Sequence, residues 1–159
     1  MRTHDIRFAT AADARALARL RFAFRSAIAP PEEDEATFVA RCERWMAERL
    51  AGGDGWRAWV AERDGGIVGN VWLHLIEKLP NPVAEPESHG YITNFFVLEH
   101  ARGAGVGAAL LGAALGEGER LQLDAVILWP TPRSRSLYER HGFAVRDDLM
   151  ERRGTTRRT

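Results

Sequence analysis

Six consecutive residues, Arg102-Gly103-Ala104-Gly105-Val106-Gly107, carry the densest chemical signal in the chain. They follow Tyr91 to Val97, an aromatic and β-branched run that reads as a strand. They precede Ala108 to Leu115, where Leu110, Leu111 and Leu115 are placed as on a helix packed against a sheet. A strand that feeds a glycine turn opening a helix gathers backbone N–H groups around one point. Glycines let an anion approach the backbone, and the positive end of the helix dipole favours it. The predicted chemistry is a pyrophosphate cradle from Gly103 to Ala108, with Ala104 and the Val106 N–H inside it and Arg102 adding charge beside the phosphates. The plainer alternatives are a glycine-rich turn with no ligand, and a Gly107 that serves only close helix–strand packing.

Three kinds of loop share this outline. A P-loop needs Lys and then Ser or Thr at its end, but Gly107 is followed by Ala108 and Ala109. The dinucleotide fingerprint matches nominally at Gly103, Gly105 and Ala108. Its acidic partner would be Asp124, which opens a strand rather than closing one, and too little chain follows to finish a doubly wound sheet. The third pattern, Arg/Gln-x-x-Gly-x-Gly/Ala after a strand, resembles the acetyl-CoA signature of the GNAT superfamily of N-acetyltransferases. Arg102, Gly105 and Gly107 match it directly.

A second segment strengthens the resemblance. Ala125 to Trp129 reads as an apolar strand, Thr131 as an N-cap and Pro132 as a first helical residue. A short helix bearing Leu137-Tyr138-Glu139-Arg140 then runs to about His141, with Gly142 as its cap and Phe143 beyond. Strand, turn, short helix and Gly-Phe look like the other half of a GNAT site.

The resemblance implies specific roles. Main-chain groups of Phe96, Val97 and Leu98 would hold the pantetheine arm of acetyl-CoA, in the gap where this strand splays from the Ala125 strand. Tyr138 would protonate the departing thiolate, with Leu137 facing the core beside Phe143; the bland alternative is a tyrosine packed under the Gly-Phe turn. Ser134 and Ser136 would reach pantetheine or phosphate groups. Many relatives have Asn where this chain has Thr131. The central strand offers Thr93 and Asn94 where some relatives place an acidic base. Glu77, His74 and Glu99 are the base candidates, beside water relays and a surface role for each.

The rest of the chain must position these residues. The 159 residues suffice for one domain with a core, expected over 1–153 with a flexible tail over 154–159. Apolar content of 45% and a formal net charge of zero, from 22 basic and 22 acidic residues, give no sign of a nucleic-acid or membrane surface. The basic tail (Arg152, Arg153, Arg157, Arg158) reads as a solvated end. Cys42 stands alone, so no intramolecular disulfide forms, and no metal-ligand cluster is apparent. No signal-type segment or apolar run of about 20 residues occurs, so a cytoplasmic location is expected.

In chain order, Ile6 to Phe8 reads as a strand, and Thr10 to Asp13 has capping-box spacing before a helix to Ser26. Glu32 to Glu35 opens a second helix, with Phe38, Cys42, Trp45 and Met46 as its expected buried stripe and Gly52-Gly53 as its end. Those acids border the side from which family acceptors enter, either to attract cationic amines or as a solvated helix start. Asp64-Gly65 joins two apolar runs as a hairpin turn. Ala144-Val145 and Leu149-Met150 read as two short strands about Asp147-Asp148. The expected architecture is an α/β fold of mixed sheet flanked by helices, in the order β-α-α-β-β-β-α-β-α-β-β. The expected function is acetyl-CoA-dependent N-acetylation of a small-molecule or peptide amine; a homodimer is compatible with it. A non-catalytic acyl-CoA-binding regulatory domain is the alternative, with a dinucleotide-binding protein behind it.

Overall fold

The computed structural model describes residues 4–53 and 55–154. Two compact units divide between Trp129 and Pro130. The first contains a five-stranded sheet in sequence order: β1 (Asp5–Phe8), β2 (Trp56–Arg63), β3 (Gly66–Glu77), β4 (Ser88–Val97) and β5 (Val126–Ile127). The first three junctions are antiparallel and β4–β5 is parallel. Three helices accompany the sheet: α1 (Ala14–Ser26), α2 (Glu35–Gly52) and α3 (Val106–Arg120). The second unit carries one short helix, α4 (Arg135–Arg140).

Local sequence accounts for most of these elements. Arg63 pairs with Gly66, leaving Asp64 and Gly65 as a two-residue turn with φ of 52° and 78°. Two positive φ values match the twist of the flanking strands, and Asp and Gly tolerate them. The α2 helix starts on Asp34, whose carboxylate accepts from the Thr37 N–H at 3.0 Å, and ends on Gly53 in the left-handed region.

The helices lie on both faces of the sheet. Ala58, Val60 and Trp72 cluster with Leu17 and Ala18 of α1 and Val39 and Met46 of α2. Gly69 instead sits against Leu110 of α3, whose Cδ1 lies 3.2 Å from where a Cβ would stand. Gly69 and Trp72 are three positions apart on one strand, so they face opposite sides. Leu17, Val60, Trp72 and Leu110 are at most 1% exposed, and burying each such side chain contributes about 1.5–3 kcal/mol. A polar clamp ties the first elements together. The Arg7 guanidinium donates to both Asp13 oxygens at 2.8 and 2.9 Å and to Glu62 at 2.6 Å, while Asp13 also accepts from the Thr10 N–H.

Several expectations need correction. Of the stripe expected to be buried on α2, only Met46 is, joined by Val39, while Trp45 is 39% exposed. The Ala125–Trp129 strand is ordered as a strand only at Val126–Ile127; the chain then runs toward Pro130, which has no N–H for a ladder. Helical bonding does begin at Thr131, whose carbonyl accepts from Ser134 and Arg135, but the regular helix starts at Arg135. The two terminal strands are not formed among the described residues. Val145, Leu149 and Met150 are exposed, and Arg146 pairs with Asp148 within the intended turn; two apolar residues per flank offer too little to pair. Most of the expected tail, including Arg157 and Arg158, lies outside the described residues.

Candidate functional site

The path from β4 into α3 is continuous. Phe96 and Val97 end the strand, Leu98 donates its N–H to the Val68 carbonyl at 2.8 Å, and a 3-10 turn over Glu99–Ala101 delivers Arg102. Gly103 and Gly105 both lie in the left-handed region, at φ of 77° and 78°. A Cβ at either would meet nothing within 4 Å, so conformation, not space, demands glycine there. The helical ladder starts with the Ala109 N–H bonded to the Gly105 carbonyl at 3.0 Å. The N–H groups of Val106, Gly107 and Ala108 precede it, and Gly105 has no side chain with which to cap them. A 15-residue helix thus opens on uncapped donors at its positive end, which fits a pyrophosphate. The Arg102 Nε donates to the Val97 carbonyl at 2.9 Å, with the guanidinium 5.7 Å from the centre of the Phe96 ring. Part of the arginine therefore fastens the loop back to β4.

Two irregularities shape β4. Its ladder with β5 is confined to Gly90–Val126 and Tyr91–Ile127. From Ile92 to Val97 that edge of β4 has no β5 partner, which leaves its main-chain groups free of that ladder. On the other edge, Asn70 faces Phe96 and Trp72 faces Thr93, leaving Val71 opposite both Asn94 and Phe95. This is a β-bulge, and Asn94 takes a φ of 48° within it. The bulge turns the Asn94 side chain into a polar chain. Arg21 donates to Asn94 Oδ1 at 3.3 Å, and Asn94 Nδ2 donates to the fully buried Asn70 Oδ1 at 3.2 Å.

Thr93 and Asn94 also form one wall of an open cleft of about 420 Å³. Arg21 comes from α1; Phe38, Arg41, Cys42, Trp45 and Met46 come from α2; Trp56 and Trp72 come from the sheet. The helical stripe read as core is therefore largely a cleft wall. The same 3.6-residue spacing serves both, and only the position of the neighbouring helix decides between them. Burial pushes the Cys42 thiol up, away from a reactive thiolate. Arg21, Arg41, Trp56 and Trp72 had no site signal in the sequence, since neither spacing nor motif links them. Thr93 and Asn94, which stand where some relatives carry an acidic base, line the cleft, whereas none of the three base candidates does. His74 instead stacks on Trp56, with centroids 4.2 Å apart. Glu77 and Glu99 are exposed at the end of β3 and in the 3-10 turn. The acids before α2 are engaged locally: Glu33 pairs with Arg41, and Asp34 caps the helix.

The second unit holds Ser134 and Tyr138. Tyr138 is 7% exposed and stands edge-on to Phe143 at 5.6 Å, with the Phe143 N–H on the Tyr138 carbonyl at 3.1 Å. Tyr138, not Leu137, is thus the partner of Phe143, because that backbone bond folds the Gly-Phe turn back over the tyrosine. Burial pushes the phenol up, and an interaction with Ser134 partly opposes this. The Ser134 hydroxyl is engaged with Thr131, 2.9 Å from its hydroxyl and 3.0 Å from its N–H. Ser136 is exposed on α4.

The sequence profile described as the Acetyltransferase (GNAT) family matches residues 16–143. Comparison with curated proteins gives no match. Among solved structures, a predicted acetyltransferase with acetyl-CoA from Clostridium acetobutylicum is similar with a TM-score of 0.78 at 21% identity, covering 95% of this chain and 96% of that one. A GCN5-related N-acetyltransferase from Ralstonia eutropha JMP134 is 28% identical with a TM-score of 0.73, covering 94% and 98%. A ribosomal-protein-alanine N-acetyltransferase from Brucella melitensis biovar Abortus 2308 has a TM-score of 0.70 at 23% identity, covering 96% and 100%. Among the described residues, no helix is long and apolar enough to cross a membrane.

Proposed function

The chain belongs to the acetyltransferase (GNAT) family, and we propose that it is an acetyl-CoA-dependent N-acetyltransferase acting on a primary amine by direct attack. One observation carries this reading. β4 runs on past its last β5 partner into the glycine turn, and the same strand contributes Thr93 and Asn94 to a cleft. One rigid strand thus serves both a donor path and an acceptor wall. We take residues 1–153 as one functional domain, since the family match spans both units, and place it in the cytoplasm.

Acetyl-CoA, when bound, supplies the acetyl group as a thioester. The amides of Val106, Gly107 and Ala108 and the turn at Gly103 and Gly105 would hold its pyrophosphate, with Arg102 auxiliary. Main-chain groups of Phe96, Val97 and Leu98 would hold the pantetheine arm. The amine nitrogen bonds to the acetyl carbon, the carbon–sulfur bond breaks, one proton leaves the nitrogen and one reaches the sulfur. Tyr138 would deliver the second proton, since a phenol is protonated at neutral pH; burial pushes it up and so makes it a weaker acid, not a stronger one. No carboxylate lines the cleft among the described residues, so the first proton leaves through water. That same lack favours the rival reading of a binding-only regulatory domain. Free-thiol release from acetyl-CoA with a panel of primary amines separates the two. Amine-dependent release is expected. CoA binding without release from any amine would establish the regulatory domain, and no CoA binding would remove both.

A further inference from the structure

We infer that the amine acceptor is a small molecule carrying an anionic group, held at Arg21, on a flat apolar body held among Trp45, Trp56 and Trp72. The inference rests on the acetyltransferase reading and adds the class of acceptor to it.

The charge argument is specific to Arg21. Among the described residues, two guanidinium groups line the cleft and no acidic side chain does. Arg41 is already neutralised by Glu33, both of whose oxygens lie 3.1 Å from its Nε. Arg21 is different. Among the described residues its one polar contact is the neutral Asn94 amide at 3.3 Å, and no carboxylate pairs with it. Burial and the nearby Arg25 charge both act against its cationic form, yet an arginine stays charged at any physiological pH. A half-buried cation without a counter-ion is costly, and an anion brought into the cleft relieves that cost. The bulge at Asn94 fixes the guanidinium on the β4 side of the cleft, so the anion seats beside the strand that carries the donor path.

The opposite lining sets the rest of the molecule. The three indoles meet edge-on or tilted, with centroids 5.3 to 6.1 Å apart, and together give this side of the cleft an aromatic, apolar lining. Trp72 is 1% exposed, and its indole N–H finds no acceptor among the described residues. A buried donor without a partner indicates an acceptor atom brought by a ligand or by water. The cleft volume of about 420 Å³ lies within the range of small-molecule sites, about 300–1,000 Å³.

Matched pairs of amines test the inference. Phenylalanine and tryptophan are compared with phenethylamine and tryptamine, which keep ring and amine but lack the carboxylate, and with O-phosphoethanolamine, which has the anion without the ring. The expected order in kcat/KM puts the aromatic anions first. Arg21→Gln should cut kcat/KM for them by about 10- to 100-fold, the range of a charge-assisted hydrogen bond, and should cost the amines that lack an anion a much smaller factor; Arg21→Lys should restore part of the loss. A readout independent of turnover is quenching of tryptophan fluorescence by 3-phenylpropionate, which should weaken by the same factor in Arg21→Gln. Equal use of amines with and without the anionic group by the wild type, or equal fold losses on both in Arg21→Gln, would overturn the inference and leave the acetyltransferase reading standing. Arg21-dependent binding of 3-phenylpropionate with no thiol release from any amine would do the reverse.

Discussion

Tyr138 and Arg102 illustrate how one residue can be bound by structure and still be open to chemistry. Tyr138 packs under the Gly-Phe turn, a sufficient reason for its presence, so its proton-transfer role rests on kinetics. Tyr138→Phe keeps the ring contact with Phe143 and removes only the hydroxyl. A thiolate leaving group is already fairly stable, since a free thiol has a pKa near 8.5. The expected loss in kcat is therefore about 10- to 100-fold, the low end of general-acid effects, with acetyl-CoA affinity nearly kept. Steady-state kinetics on one confirmed amine check it; equal kcat would assign the residue to packing alone. Arg102→Ala removes both a phosphate-side charge and the bond to the Val97 carbonyl. It should weaken CoA binding by about 1–3 kcal/mol, measured by calorimetry. Complete loss would mean that the arginine, not the backbone amides, dominates the cradle. Residues of this kind were legible in the sequence because a motif flags them. Arg21 and Trp72 were not, because a lone arginine on a helix and a tryptophan in a strand look the same whether or not they line a cleft.

At the level of elements, the glycine turn makes the sharper prediction. Gly103 and Gly105 have open space around their missing Cβ atoms, and both have φ near 78°. Gly105→Ala should therefore cost about 1–2 kcal/mol from backbone strain alone and leave CoA binding weakened but measurable. Gly105→Val adds β-branching, for which this conformation is an outlier, and should abolish CoA binding while the far-ultraviolet circular dichroism stays native. Undiminished affinity in the valine variant would remove the cradle from the argument. Elements of this sort were legible because turn chemistry is local: Asp64-Gly65, Gly53 and the Gly103–Gly105 turn all fall where glycine or a tolerant residue was expected. The bulge at Asn94 was not, since it arises from the register between β3 and β4, a pairing the sequence leaves open. The terminal strands failed for a related reason. A short apolar pair becomes a strand only when an edge is there to receive it.

At the level of the whole molecule, the order of elements was legible because hydrophobic period and turn residues agree over most of the chain. What the order does not disclose is which long-range polar contacts lock it. The Arg7–Asp13–Glu62 clamp joins β1, the turn before α1, and β2 across more than fifty residues of sequence, and it yields a prediction about acid stability. The Arg7 guanidinium, bonded to both oxygens, holds the Asp13 carboxyl below the usual carboxylate range, against the opposing effect of burial. The same contacts push the Arg7 guanidinium up, so only the acid titrates in the accessible range. A group whose folded pKa is depressed contributes stability that is fully present above its unfolded value, near 3.9, and is lost as pH falls through the folded value. Asp13→Asn should therefore cost about 1–3 kcal/mol at pH 7, since it removes a charge-assisted pair and leaves Arg7 with Glu62 alone. Urea unfolding of wild type and variant at pH 7, 5, 4 and 3 is the comparison. The gap should stay constant from pH 7 to 5 and narrow below pH 4, as wild-type Asp13 becomes protonated. Glu117, also held low by its pair with Arg120, titrates in both proteins and cancels in the difference. A gap that stays constant down to pH 3 would show that Asp13 stabilises the fold through its shape and its bond to the Thr10 N–H, which the asparagine oxygen can still accept, rather than through its charge.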